Sequence, residues 1–436
     1  MGTIVQSHSK MENMLKKLKY TYAEFPPLFW TIVVTLFIDS IGSTLLFPFF
    51  ALYFTQKFGV SMMQAGVLLG ISSLFGLVGS MIGGALTDRF GRRRLILFGL
   101  TFSALSSLSF GLAWDIKILY FLIVIVGLLS RIANPAYDAM LADILPKTKQ
   151  QEGFGITRVA FNFAWIFGTA LGGLIAARSF LALFLIDACL SIMLMMLLYF
   201  YLPETQPQTH ADGKKQELFL KTLAGYRFVL RDLAYMGFTL AGMISLLVYQ
   251  QQYGSLAVYL RDIHHISSQS YGLMLSIAGL EVVLFQIWIS RSIRKYPPFQ
   301  MMGFGTLFFM IGFMMIGFAQ GFLLFTFCIT LITIGEMITF PTNRVIATSF
   351  APAEMRGRYM AIYDLGWALP ATLGPAAAGF ILDNYDPNLL WYLGGILCAV
   401  SALGFYVLHL WLGRQDRFVP APVKAEASGA GELEPT

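Results

Sequence analysis

The feature that most constrains this chain is a succession of apolar runs, each long enough to cross a lipid bilayer. A helix needs about 20 consecutive apolar residues to span the hydrocarbon core. Such windows fall at roughly 28–54, 62–86, 95–113, 118–143, 156–177, 179–202, 234–260, 270–289, 299–319, 321–345, 359–381 and 389–412. Backbone polar groups have no water to bond inside a bilayer, so each window is expected to close its hydrogen bonds internally as a helix. The composition agrees: 57% of the 436 residues are hydrophobic and 12% are charged, against about 25% charged in soluble domains. A soluble enzyme on a single anchor is excluded.

Lys16, Lys17 and Lys19 precede the first window and give it the outline of a secretion signal. The run is too long, contains Asp39 and lacks a small-x-small cleavage site, so it reads as the first membrane helix behind a stub whose Met11 to Tyr20 segment is amphipathic. The one long polar interruption, Pro203 to Asp232, divides the windows six and six. The expected domains are a stub at 1–27, a bundle at 28–202, a linker at 203–233, a second bundle at 234–412 and a Pro, Ala, Gly and Glu rich tail at 413–436 expected to be disordered. The fold class is an all-α membrane protein of twelve transmembrane helices in two pseudo-symmetric six-helix bundles.

With the N-terminus inside, Lys57, Lys117, Arg178 and Arg261 fall outside and Arg131 within the membrane, leaving 25 of the 30 Lys and Arg on the cytoplasmic side. That asymmetry orients both termini to the cytoplasm. It also assigns the net charge of +6 to the membrane surface rather than to nucleic acid. The chain has no Asn-x-Ser/Thr sequon and its outer loops are short, as expected of a multi-pass protein of a bacterial inner membrane. Cys189, Cys328 and Cys398 are odd in number and all intramembrane, which implies neither a disulfide framework nor a metal cluster. No phosphate loop is present, the five histidines lack ligand spacing inside any window, and no enzyme activity, metal or cofactor is expected. His264 and His265 fall in an outer loop, where solvation is the expected state.

Sliding the chain against itself by 206 residues aligns Ala51 with Ala257, Tyr53 with Tyr259, Gly66 with Gly272, Gly99 with Gly305, Gly111 with Gly317, Pro135 with Pro341 and Pro146 with Pro352. At 202, Gly155 meets Gly357, Trp165 meets Trp367 and Gly172 meets Gly374. Shared apolar composition produces Leu and Ile matches, not ordered Gly, Pro and Trp matches. Two six-helix halves of the same orientation form a parallel repeat, which places a binding site near the midplane between them.

Between windows two and three stands Gly84-Ala-Leu-Thr-Asp88-Arg89-Phe-Gly91-Arg92-Arg93-Arg94. Gly91 permits a tight turn, the arginines hold the loop in the cytoplasm, and Asp88 can pair with Arg92 or accept from a helix N-terminus. This run resembles the signature loop of the major facilitator superfamily, and with the twelve windows and the repeat the resemblance covers nearly the whole chain. It implies a gating role for Gly84, Asp88, Arg89, Gly91, Arg92 and Arg93. The matching loop of the second half, Ser290 to Lys295, keeps the charge but has neither the Asp nor the Gly. Helix five carries Gly155, Gly168, Gly172 and Gly173, with Ala164 and Thr169 between, in a rhythm similar to the antiporter motif of drug exporters. Small residues at that spacing let two helices approach closely.

Ionisable groups inside a bilayer are costly and need a reason. Arg131 lies about 20 Å into window four at 1.5 Å per residue, Asp138 is seven residues on along the same face, and Asp143 ends the window. Asp39 is as deep in window one, where pairing with Arg131 is the structural alternative to a site. Glu336 lies about 22 Å along window ten in Gly335-Glu336-Met-Ile-Thr-Phe-Pro341. The 206-residue repeat sets Glu336 opposite Ser130, so it is expected to face the positive charge of Arg131. The Gly335 to Pro341 run resembles multidrug–proton antiporters, which implies that Glu336 binds protons and substrate and that Asp143 also falls at a family carboxylate position. Asp187 and Glu281 are intramembrane too, with no motif attached. The expected function is proton-coupled export of amphipathic or cationic compounds such as drugs, by a monomer in the lipid bilayer whose partners are protons and a small-molecule substrate. Proton-coupled carriage of a nutrient or metabolite is the alternative, and a non-transporting sensor or assembly factor is the reading from another class.

Overall fold

The computed structural model describes residues 22, 24–205, 226–352 and 355–412, the Asp88 side chain excepted. The amphipathic stub segment, most of the linker and the tail lie outside the described residues. Among the described residues, twelve helices are long and apolar enough to span a membrane. They are α1 (Pro27–Phe58), α2 (Met62–Phe90), α3 (Arg92–Leu112), α4 (Ile116–Ile144), α5 (Lys147–Ala176), α6 (Phe180–Tyr201), α7 (Leu233–Gly254), α8 (Ser268–Ile293), α9 (Pro298–Ile316), α10 (Gly321–Phe350), α11 (Arg356–Asn384) and α12 (Asn388–Leu412). With an even number of crossings, the described chain begins and ends on one side, here called the terminal face. The opposite side is the far face.

Three helices expected to be continuous are broken, each for a local reason. In α1, Pro48 removes a backbone donor, and a 3-10 turn, Phe47–Phe49, interrupts the ladder. The repeat-related break in α7 spans Gln250 to Ser255, with Gly254 at the position equivalent to Pro48, and the chain runs on as a short helix, Leu256–His264. In α4 the ring of Pro135 excludes the carbonyl of Arg131, four residues before it. The helix therefore stops at Ser130 and restarts at Asn134. Pro341, the repeat partner of Pro135, sits inside the unbroken α10. There the carbonyl that Pro341 leaves without a helical donor, that of Met337, accepts from the Gln286 amide of α8 at 3.0 Å.

The halves pack through α2 on α11 and α5 on α8. Their closest approaches are on the far face, where small residues bring backbones together. Gly66 and Gly70 of α2 face the carbonyls of Pro375 and Thr372 of α11, Gly379 faces Met62, and Gly173 of α5 lies against Gly272 of α8. Asp383 of α11 accepts from the backbone N–H groups of Met62 and Met63 at 2.9 and 2.7 Å. Repeat-related residues meet at the axis between the halves: the Phe47 and Tyr253 rings lie 5.9 Å apart, and Arg261 Nη1 donates to Thr55 Oγ1 at 2.9 Å. Toward the terminal face, Gly84, Gly155 and Gly357 have no neighbouring element against them among the described residues. The two halves thus close on the far face.

His264 departs from its expected solvated state. Its ring is wedged between those of Tyr259 and Phe325, and its buried Nε2 has no partner among the described residues. Burial, reinforced by His265, holds its pKa below the ordinary histidine value.

Candidate functional site

Two chambers lie at the middle of the molecule and share Phe47 and Phe161 as walls. The first, of about 450 Å³, belongs to the first half and is lined by Asp39, Arg131, Tyr137 and Asp187 among a set of serines that includes Ser40, Ser43, Ser103 and Ser107. The break in α4 positions Arg131, whose aliphatic stem crosses Gly76 of α2, 3.2 Å from where a Cβ would lie. Asp39 and Arg131 share this chamber, but no ion pair joins them among the described residues. Asp187 is buried and accepts from the Ser107 hydroxyl, while the buried hydroxyl of Tyr137 has no partner among the described residues. Asp187 lacked any motif. Only its cost inside a bilayer marked it. Asp138 is exposed on α4 and lines neither chamber.

The second chamber, of about 270 Å³, lies between the halves. Phe161 and Trp165 of α5, Tyr249 and Tyr253 of α7, Phe340 of α10 and Trp367 of α11 surround Glu336. Trp165 and Trp367, matched by the internal repeat, both line this chamber, one from each half. The rings interlock edge to face, Trp165 with Tyr253 at 5.4 Å, Phe340 with Trp367 at 5.0 Å and Tyr249 with Phe340 at 5.0 Å. Glu336 Oε2 accepts from the Tyr249 hydroxyl at 2.8 Å, and that hydroxyl meets the Tyr253 hydroxyl at 2.8 Å. A carboxylate, two phenols and an aromatic box are groups that together can hold a cation through charge and ring faces.

Glu336 was expected to face Arg131. The structure puts Arg131 in the first chamber, and the cation whose field reaches Glu336 is Arg158 of α5. Sequence position had assigned Arg158 to the cytoplasmic charge of the fifth window and so concealed it.

The signature loop forms a separate cluster. Gly91, at φ 90°, ends α2 and precedes α3 as a single-residue turn, a conformation that favours glycine. Arg92 Nε pairs with Asp143 at 3.0 Å, and the backbone N–H groups of Arg92 and Arg93 donate to Glu204 at 2.9 and 3.2 Å. Glu204 thereby caps the N-terminus of α3, a role that its place just beyond the sixth window did not reveal. Arg93 also reaches the Tyr199 carbonyl at 2.7 Å, and the Arg89 guanidinium lies over the Phe90 ring. Asp143, expected with the proton and substrate carboxylates, stands in this cluster and lines neither chamber, because the helix restart at Asn134 ends its segment at the terminal face. The Asp88 side chain lies outside those described.

The four packing glycines divide. Gly168 and Gly172 seat α5 on α1 of the same half, against Thr44 and Leu45, while Gly173 makes the contact across the halves. Gly155 has no neighbouring element against it among the described residues.

Comparison with known proteins decides the family. The model of the Major Facilitator Superfamily matches residues 32–254 and 238–434. The chain belongs to the major facilitator superfamily. It is 26% identical over 399 residues to a "Na(+), Li(+), K(+)/H(+) antiporter" of Planococcus maritimus, spanning 84% of this chain and 91% of that one. It is 23% identical over 391 residues to "Multidrug resistance protein MdtH" of Cronobacter sakazakii, spanning 89% and 94%. Among solved structures, the nucleoside transporter NupG superposes with a TM-score of 0.78 at 13% identity, covering 87% of this chain and 99% of that one. A POT family transporter in complex with 5-aminolevulinic acid gives 0.74 at 15%, covering 88% and 96%. At those identities the likeness is one of fold. The chain is a multi-pass secondary transporter of the facilitator type and not an enzyme.

Proposed function

We propose that this facilitator exports amphipathic or cationic compounds in exchange for protons, as a monomer in a bacterial inner membrane with its terminal face in the cytoplasm. The observation that carries the reading is Glu336 in its aromatic box, hydrogen-bonded to Tyr249. One carboxylate takes a proton or a cation but not both, and that competition is an exchange mechanism in itself. With the far face closed, the site is offered to the terminal side. Cargo binding displaces the proton, the far-face contacts part, and a proton arriving from outside expels the cargo. Asp39 and Asp187 provide further exchangeable carboxylates in the adjoining chamber. The relative named as a multidrug resistance protein accords with organic cargo.

The first chamber favours a second cargo. Its two aspartates and cluster of serine hydroxyls supply hard oxygen ligands, which suit an alkali cation, and a relative carries the name of a Na(+), Li(+), K(+)/H(+) antiporter. The test is the purified protein in liposomes under an imposed pH gradient, with lipophilic organic cations, neutral metabolites and Na⁺, K⁺ and Li⁺ offered in turn and the direction of movement scored. Proton-driven movement of organic cations opposite to the protons supports the leading reading. Movement of alkali ions alone replaces it with the second, and cargo moving with the protons contradicts both.

A further inference from the structure

Glu281 of α8 lies at mid-helix and faces neither chamber. It stands in a groove of about 380 Å³ on the outer surface of the second half, where α8 and α9 both pack on α10. That volume is within the range of drug-sized sites, about 300–1,000 Å³. Phe285 and Trp288 of α8 and Phe304 of α9 wall the groove and are largely exposed, Trp288 by 69%, so the groove faces lipid. Thr330 donates to Glu281 Oε1 at 2.6 Å, and the buried Oε2 has no partner among the described residues.

A carboxylate with an unmet oxygen in a lipid-facing groove has a cost that packing does not explain. A phospholipid acyl chain is a poor occupant, because its terminal methyl would press on the only acidic group in the groove. A hydrophobic cation is a good one: its charge offsets that of the partly exposed Glu281 carboxylate, and its apolar body lies along aromatic faces. The back wall adds a second consideration. Glu281 and Val282 are neighbours on α8, as are Met337 and Glu336 on α10, yet Glu281 and Met337 line the groove while Val282 and Glu336 line the inter-half chamber. The two sites stand back to back, separated by the seam that the Gln286 to Met337 hydrogen bond closes.

We infer that the α8–α9–α10 groove is a second binding site, which takes hydrophobic organic monocations directly from the bilayer, with Glu281 as the counter-charge. It goes beyond the transport reading, since it is a binding site outside the transport chambers. The test uses the full chain in lipid nanodiscs and a bromoalkyl trimethylammonium probe, whose bromine quenches tryptophan fluorescence on contact, with a bromoalkyl alcohol of equal length as the uncharged control. Expected is saturable quenching by the ammonium probe, a component of which disappears in Trp288→Phe. Glu281→Gln is expected to weaken that component at least about tenfold, the loss of one charge-assisted contact, and Thr330→Val to perturb it less. Glu336→Gln is expected to leave it unchanged, so the inference survives even where the transport reading fails. Equal quenching by the alcohol, or a Trp288 component indifferent to Glu281→Gln, overturns the inference and makes the groove a seat for lipid chains. Should Glu281→Gln fail to fold, an unchanged Trp288 component in Thr330→Val together with equal alcohol quenching overturns it, and ammonium-selective quenching sustains it.

Discussion

The far-face closure depends on one carboxylate reaching across the halves. The N-terminus of α2 has orphan N–H groups, as every helix does. Ser61 accepts from Gln64 and forms a capping box with it, so that end is half satisfied from within its own chain. The N–H groups of Met62 and Met63 are instead taken by Asp383 of the other half. Charge-assisted bonds are worth about 1.5–3 kcal/mol each when shielded, and the helix dipole adds about 0.3–1 kcal/mol. Asp383 is exposed, and an asparagine keeps one acceptor, so after screening Asp383→Asn is expected to weaken closure by about 1–2 kcal/mol. That is a shift of about 5- to 30-fold toward the far-open state. Spin labels at Gln56→Cys and Tyr385→Cys, both exposed on the far face, read it as a distance distribution. The parent protein is expected to give chiefly the short separation and the Asp383→Asn protein a grown long component. An unchanged distribution, with folding intact, would refute the idea that this cap holds the far face shut.

Gly173→Leu is expected to force α5 from α8, at an overpacking cost of about 1–3 kcal/mol in thermal stability, whereas Gly155→Ala, with no neighbouring element against it among the described residues, should stay within about 0.5 kcal/mol of the parent or gain from the better helix former. Asp88→Asn is expected to slow turnover while leaving substrate affinity nearly intact, since the signature loop lies away from both chambers; loss of binding in a folded protein would count against a gating role. Impermeant thiol reagents applied from outside should label cysteines at Lys57, Lys117 and Arg178 but not at Arg93 or Lys295, and labelling at Lys295 would undo the assigned orientation.

The helices and their order were legible because bilayer crossing imposes a length and a composition that no side-chain detail overrides, as each window shows. The repeat was legible for a related reason: glycines such as Gly66 and Gly272 and tryptophans such as Trp165 and Trp367 are fixed by close approach and by the cavity wall, so they persist in register. What one strand of sequence does not carry is azimuth. Arg158, four residues before Asn162 on α5, reads as interfacial charge until the helix is docked, and only then does its field reach Glu336. Asp143 reads as the acid that ends window four and Glu204 as a linker acid, yet both serve the arginine loop because α4 and α6 end beside it. The helix breaks were not foreseen: Pro48 and Pro135 interrupt helices expected to be continuous, but Pro341 does not, since the outcome depends on a donor from another helix, Gln286.

The central claim is that Glu336 exchanges its proton for a cationic cargo, and it is tested by proton release. Purified protein in weakly buffered solution, mixed with a saturating lipophilic cation, is expected to release protons in the parent and none from this site in Glu336→Gln, which keeps the shape and removes the titration. Tyr249→Phe, which removes the donor at 2.8 Å, should shift the pH at which release is maximal without abolishing it. Undiminished release from Glu336→Gln, with an unchanged pH profile, would contradict the account and pass the role to Asp39 or Asp187.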